Sequence, residues 1–370
     1  MEQRKTGRII LLSAFILFIC LSRGIWFFAE KYLDSENYEN RQMAEHPTLT
    51  AENYETFPDE YTSYFNDHLP FRNQLISLNS AIDYYCFKRS SSSYVVIGKN
   101  DYLFYSRTDD GNAIAGYQGT NLYSKKKLKS IAKRCIAMRD TLAEQGREFV
   151  LLILPNKERV YSEYMPERYG APADMYAARQ LYDYLKENTD LRVVYPYEEL
   201  MKAKEELPVN IYRKTDTHWN SVGAYVGARA LLAELGIEMP ALTDEGMQIV
   251  TGDPSSGDLA SMLNLSGMLR HTDHEYFVEG YDTHNMQTLE YDFSTVYRYR
   301  AENADPRKIY VIRDSFSSAL APFIGSQFDE SYMRYGTTYS YDDLVSQDPD
   351  IVVYETVERY IGGLSKFSLQ

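Results

Sequence analysis

The chain has only two tryptophans and three cysteines in 370 residues. The cysteines are Cys20, Cys86 and Cys135, and Cys20 lies in the apolar N-terminal run. One disulfide, Cys86–Cys135, is conceivable, but the pattern reads as isolated thiols and excludes a disulfide framework. No Cys/His spacing suits zinc. His271-Thr272-Asp273-His274, with His284 beyond, lacks the helical context of a ligand set and reads as solvated surface. No glycine-rich phosphate loop occurs, and no cofactor or metal is expected. Positive charge is also short, with 39 Lys and Arg against 53 Asp and Glu for a net −14. That excludes a nucleic-acid partner, whose phosphates need clustered cations. Repeats and low-complexity segments are absent as well.

What is present begins with enough apolar residue, 44%, for one large core with or without a small accessory region. The 34 tyrosines suit sugar surfaces, having an apolar face and a polar tip, but half-buried strand positions explain them first. Arg4, Lys5 and Arg8 precede an apolar run from Ile9 to Leu21, then Ser22-Arg23-Gly24 and Ile25 to Ala29. Counted through to Ala29, the run has about the twenty residues that cross a bilayer. Arg23, Trp26 and two Phe occupy the place of a cleavage site, so the segment reads as an uncleaved anchor rather than a cleaved signal. A basic flank before it and an acidic flank after it set the N-terminus in the cytoplasm and the rest outside, with the bilayer as a partner. The expected organisation is a tip and transmembrane helix over 1–29, a juxtamembrane tether over 30–58 and an extracytoplasmic domain over 59–370. Within that domain, 59–123 is an accessory region and 248–300 a set of inserted loops.

Leu75, Ile76, Leu78 and Ile82 suggest a helix. Tyr94–Gly98 and Tyr102–Tyr105 flank a polar turn and read as a hairpin. Ser124 to Gly146 has helical periodicity with Gly146 as its stop. From there strands alternate with helices. Phe149–Leu154, Leu191–Tyr195, Lys308–Ile312 and Ile351–Tyr354 are the strands; Met175–Lys186, Ser221–Leu235 and Ser315–Ile324 are the helices. The alternation predicts an α/β fold with a mostly parallel sheet covered by helices on both faces.

Two stretches carry chemistry. In Lys214-Thr215-Asp216-Thr217-His218-Trp219-Asn220, a carboxylate and an imidazole stand two residues apart and, in extended chain, point the same way. In Ile309 to Phe316, Ser315 falls where a buried strand ends and a helix begins. Ligands of open α/β sheets bind there, and a helix N-terminus favours an oxyanion. A bare serine needs a base, which His218 can be, with Asp216 fixing the tautomer. Taken singly, Ser315 is also a helix cap and Asp216-Thr217-His218 a polar turn. Glu355 and Glu358-Arg359, at the end of the last strand, suggest a structural ion pair nearby.

Asp216-Thr217-His218-Trp219 followed by Asp314-Ser315-Phe316 resembles the alginate O-acetyltransferase-like branch of the SGNH hydrolases, in particular the bacterial DHHW-motif proteins. Asn66 to Arg72, Val96 to Phe104, Leu154-Pro155-Asn156-Lys157 and Ser256 to Ala260 match in the same order, over roughly residues 40 to 360. The resemblance implies a three-layer α/β/α sandwich of flavodoxin-like type, with Ser315 as nucleophile and Asp216 and His218 as its partners. It also implies transfer or removal of acetyl groups on a cell-surface polysaccharide; a transferase would need a membrane-bound partner delivering acetyl. The chain departs from the family in having Thr217 for a His and Arg313 for a Gly, which leaves the oxyanion geometry open at Arg313. Asn156 reads as an oxyanion donor or a structural turn, and Asp258 as a substrate contact or a loop cap. The rival reading is a non-catalytic polysaccharide-binding or assembly protein on the same fold.

Overall fold

Apolar runs long enough to be covered on both faces form the centre of the fold. The computed structural model describes residues 2–33 and 42–369. Its strands are β1 (Val95–Ile97), β2 (Leu103–Tyr105), β3 (Glu148–Leu154), β4 (Arg192–Val194), β5 (Gln248–Ser255), β6 (Asp273–Glu279), β7 (Met286–Asp292), β8 (Val296–Ala301), β9 (Asp305–Arg313), β10 (Phe328–Tyr335) and β11 (Ile351–Val357). Seven of them make the main sheet in the order β4-β3-β11-β9-β10-β8-β7. The first five run parallel, and β8 and β7 extend the sheet antiparallel. The smaller pairs β1–β2 and β5–β6 are antiparallel.

Alternate residues of each central strand serve opposite layers. Val150, Leu152, Val311 and Val353 pack with Val222, Leu231 and Leu320, from helices Ser221–Glu234 and Ser317–Gly325. Leu151, Ile153, Ile312 and Val352 pack with Ile131, Cys135, Leu181 and Leu185, from helices Lys125–Ala143 and Ala177–Asn188. The result is the expected α/β sandwich with a mixed, mostly parallel sheet. The described residues fall into two compact units, those up to Ser92 with Ser261–Leu265, and Ser93–Ala260 with Ser266 onward. The first holds helices Phe57–Asp67 and Arg72–Ala81, the latter continuing into a π-turn over Ile82–Cys86.

Several expectations change. The stretch 248–300 is strand-bearing rather than a loop system: it contributes β5 to β8, whose charged and tyrosine-rich faces gave no clean alternation. Strand β10 and helices Tyr197–Glu206 and Tyr341–Gln347 went unread, because Asp329, Glu330 and Arg334 interrupt the apolar pattern of β10 and the helices are short and charged. The helix after β9 starts at Ser317, leaving Ser315 in the turn before it. Cys86 and Cys135 are both free thiols, the second buried. A helix covers Glu2–Ala29, but among the described residues no helix is long and apolar enough to cross a membrane, so the expected anchor is not shown. Of the expected tether, residues 34–41 lie outside the described residues.

Helix Ser221–Glu234 packs so closely that glycine is required on one side. A Cβ at Gly223 would lie 2.3 Å from the Ile211 carbonyl oxygen, a backbone atom that cannot swing away. Gly223→Ala should therefore cost about 1–3 kcal/mol, read as a lowered melting temperature. Gly116, with open space at its Cβ, is the control, and its Ala variant should melt no lower than the parent.

Candidate active site

The segment from Arg213 to Trp219 has no regular secondary structure beyond the isolated bridge Tyr212–Trp219. Its backbone polar groups must therefore be satisfied from outside. The Lys157 ammonium, 1% exposed, donates to the carbonyls of Arg213 (3.1 Å), Lys214 (3.0 Å) and Asp216. An ammonium has three protons, so the match is complete. Burial pulls the pKa of Lys157 down, opposed by Glu158, Asp273 and Asp216. From the other side, the buried Asp273 carboxylate accepts the N–H groups of Lys214 (2.6 Å) and Thr215 (2.7 Å) and the Thr215 hydroxyl (2.6 Å). The acid of the His-rich stretch is thus a loop brace. His274 is directed at the Gly252 carbonyl, 3.4 Å away.

Held this way, Asp216 and His218 meet in a bend, not in extended chain as expected. Asp216 Oδ1 accepts both the backbone N–H of His218 (2.9 Å) and its ring Nδ1–H (2.7 Å). The second carboxylate oxygen accepts the Asp258 N–H (3.2 Å). Gly257 lets this loop approach, since a Cβ there would sit 2.3 Å from that of Asp216. His218 Nε2 then lies 2.8 Å from Ser315 Oγ, across 97 residues of chain. The structure brings together the three residues singled out in the sequence.

Asp258 faces the same imidazole. It accepts the Thr217 N–H (2.8 Å) and hydroxyl (2.6 Å), and one oxygen stands 3.8 Å from His218 Nδ1. It therefore caps the loop while also lining the cavity. Burial lowers the pKa of His218, but the bonded Asp216 and the nearby Asp258 outweigh it and the net displacement is upward. Burial raises Asp216, and the bond to His218 overrides it, holding the carboxylate well below its ordinary value. Burial and the charge of Asp216 push Asp258 up. Among the described residues, these three side chains also have ligating atoms within 4.8 Å of one another. Nδ1 is nevertheless spent on Asp216 and Nε2 on Ser315, an arrangement suited to moving a proton.

Ser315 sits on a turn fixed by two carboxyls, the half-buried Asp314 and the buried Glu355. Asp314 accepts the N–H groups of Phe316 and Val357 (2.8 Å each), while Glu355 accepts the Asp314 N–H and the Ser317 hydroxyl (2.8 Å each). Burial, then Asp314, raises the pKa of Glu355 far above the usual range. The expected ion pair among Glu355, Glu358 and Arg359 does not form. Glu358 accepts from the Tyr195 hydroxyl, and Arg359 donates to Asn156 Oδ1.

Two candidates move away from the reacting groups. Asn156 is 1% exposed, accepts from Arg359 and does not line the cavity. Arg313, also 1% exposed, lies between the rings of Tyr297 (4.0 Å) and Tyr335 (4.9 Å) and donates to the Phe293 carbonyl (2.9 Å). It supports the β7–β8 turn and leaves the turn at Ser315 intact. The cavity over Ser315 measures about 660 Å³. Its walls include Trp219, Phe277, Phe293, Phe316 and Phe323. Phe277, Phe293 and Lys157 were not read as site residues; Lys157 lay within a matched segment, Leu154 to Lys157.

Comparison with known proteins agrees with this architecture. The family described as SGNH hydrolase-like domain, acetyltransferase AlgX, matches residues 95–295. A probable alginate O-acetylase AlgJ of Pseudomonas syringae pv. tomato is 27% identical over 210 residues, 55% of this chain and 49% of that protein. One from Pseudomonas fluorescens is 24% identical over 318 residues, 81% and 76%. The chain spans about half the length of the first of these and of those from Pseudomonas putida and Azotobacter vinelandii. Among solved structures, a DHHW family protein from Eubacterium siraeum aligns with TM-score 0.52 and 18% identity, over 74% of this chain and 98% of that one. Bacillus cereus PatB1 with a sulfonyl adduct aligns with TM-score 0.52 and 14% identity, over 74% and 99%. At such identities the structures are alike in fold.

Two outcomes test the geometry. The His218 imidazole should titrate above 6.5 by NMR, and Asp216→Asn should lower its midpoint. Because the folded pKa is the higher one, the pairing stabilises fully below pH 6.5 and is lost as pH rises through the folded value. Lys157→Met, which leaves three carbonyls without their donor, should cost about 3 kcal/mol in denaturant unfolding and disturb the His218 resonance as well.

Proposed function

The chain belongs to the SGNH hydrolase-like, AlgX-type acetyltransferase family, and on that premise we propose that it moves O-acetyl groups on a polysaccharide through Ser315, His218 and Asp216. The observation carrying this reading is the continuous path from Asp216 through His218 to Ser315, with contacts of 2.7 and 2.8 Å. His218 Nε2 takes the proton of Ser315 as Oγ attacks the donor carbonyl. Asp216 keeps Nδ1 protonated and stabilises the imidazolium. The tetrahedral intermediate collapses, the leaving oxygen takes the proton from Nε2, and acetyl-serine remains. In the second half a sugar hydroxyl gives its proton to His218 and takes the acetyl group, restoring the serine. Water in place of the sugar makes the same cycle an esterase.

The Phe316 N–H is spent on Asp314, so it is not the oxyanion donor. The start of helix Ser317–Gly325, two residues on, supplies a partly positive end beside the developing charge. The acceptor reading rests on relatives named alginate O-acetylases. In this proposal the anchor rests on the sequence alone: the apolar run from Ile9 to Ala29 is read as a single pass through a bacterial cell membrane, with the N-terminus cytoplasmic and the site outside. Acetyl then arrives from a membrane-bound partner, since an extracytoplasmic site has no cytoplasmic donor at hand. The basic residues before the apolar run support this orientation.

Intact mass after exposure to an activated acetyl ester or a serine-directed phosphonate tests the chemistry. A single adduct is expected on the parent, none on Ser315→Ala, and one formed about 10³-fold more slowly on His218→Ala. An adduct surviving Ser315→Ala would overturn the assignment. The labelling rate should fall as pH drops through the raised pKa of His218, because only the neutral imidazole accepts the proton.

A further inference from the structure

Two aromatic rings at the cavity remain unused by the chemistry, and both are open to solvent. Phe277, on β6, is 55% exposed, and Phe293, in the turn between β7 and β8, is 59% exposed. A Cβ at Gly252 would fall 2.6 Å from Phe277 Cε2, so this ring rests against backbone kept bare by glycine. The backbone of Phe293, though not its ring, is held at the carbonyl by the buried guanidinium of Arg313. The two rings come from separate hairpins and line one cavity with Ser315. Exposed aromatic faces beside a nucleophile fit the C–H face of a pyranose, which is apolar and slightly positive against the negative ring face.

The charges in the cavity bear on which pyranose. Asp216 and Asp258 line it, and among the described residues the only cationic side chain that does so besides the imidazole is Arg213. Arg213 is already paired with Glu275 at 2.5 Å. A ligand carboxylate would therefore meet two carboxylates without an open cation, on a chain of net charge −14 that repels polyanions at long range.

Resting on the acyl-transfer reading for its chemistry, we propose that the acceptor is an uncharged glycan held against Phe277 and Phe293, rather than a uronate polymer. Glu275 acts as the specificity element by occupying Arg213. The rings position the sugar and take no part in proton transfer.

Calorimetric titration of the full chain carrying Ser315→Ala measures this apart from catalysis. The probes are a β-linked glucose hexasaccharide and a galacturonate hexasaccharide. The neutral probe should bind about tenfold or more tightly than the uronate at low salt, with the gap narrowing as salt rises. Phe277→Ala and Phe293→Ala should each weaken the neutral probe about tenfold. Glu275→Gln should strengthen uronate binding by freeing Arg213. Equal or tighter uronate binding, no binding of the neutral probe, or unchanged affinity in both Phe variants would overturn the proposal. Absence of an adduct on the parent chain, measured separately, would instead sink the acyl-transfer reading while leaving the binding preference measurable, so the two failures are distinguishable.

Discussion

The site depends on satisfying the backbone of a segment that has no helix or strand to do it. Between Tyr212 and Trp219 the peptide groups point in several directions, and each buried one needs a partner. Lys157 collects carbonyls from one side, Asp273 collects N–H groups from the other, and Asp258 and Gly257 close the third. A buried ammonium and a buried acid are costly unless every lone pair and proton is used. Here the donors and acceptors match, and the outcome is a bend that points one carboxylate and one imidazole in a single direction.

The serine half uses the opposite strategy. Ser315 belongs to a turn bracketed by a buried strand and a helix, and regular structure supplies most of its constraint. What remains is met by Asp314 and Glu355, and burial, then the charge of Asp314, pushes the Glu355 carboxyl well above its ordinary range. Trp219 ties the halves together, donating from its indole to the Phe316 carbonyl at 3.0 Å. The Ser315–His218 distance is thus set by two independently braced loops joined at an aromatic side chain. Arg313 shows how a residue at an unfavourable-looking position is accommodated: its guanidinium turns away, between two tyrosine rings, and supports a wall of the cavity.

Much of this was legible in the residues, and the physical reason is locality. Phe149–Leu154 and Lys308–Ile312 announce buried parallel strands because both faces are covered. Ser315 announces itself by following such a strand, and Asp216 and His218 by standing two apart. What was hidden depends on distant partners. Nothing near Lys157 says that its ammonium reaches carbonyls more than fifty residues on, and nothing near Asp273 says that it holds Thr215. Strands β6 to β8 alternate charged and tyrosine residues on faces that are partly exposed, so they lack the contrast on which period-two reading relies. Phe277 and Phe293 look in sequence like any core aromatic; only their exposure sets them apart.

The order of strands across the sheet has a consequence for how the molecule comes into being. The strand that lies between β3 and β9, at the centre of the five parallel strands, is β11, encoded after all the others. A chain made from its N-terminus can form hairpins and helices early, but β3 and β9 have no shared neighbour until some two hundred residues beyond β3 have appeared. Folding of such a sheet is governed by long-range closure and is slow relative to local structure. The nucleophile turn leans on Glu355 of that same strand, so assembly of the chemistry is the final act of folding. Partly made chains hold a serine and a histidine that have not yet met.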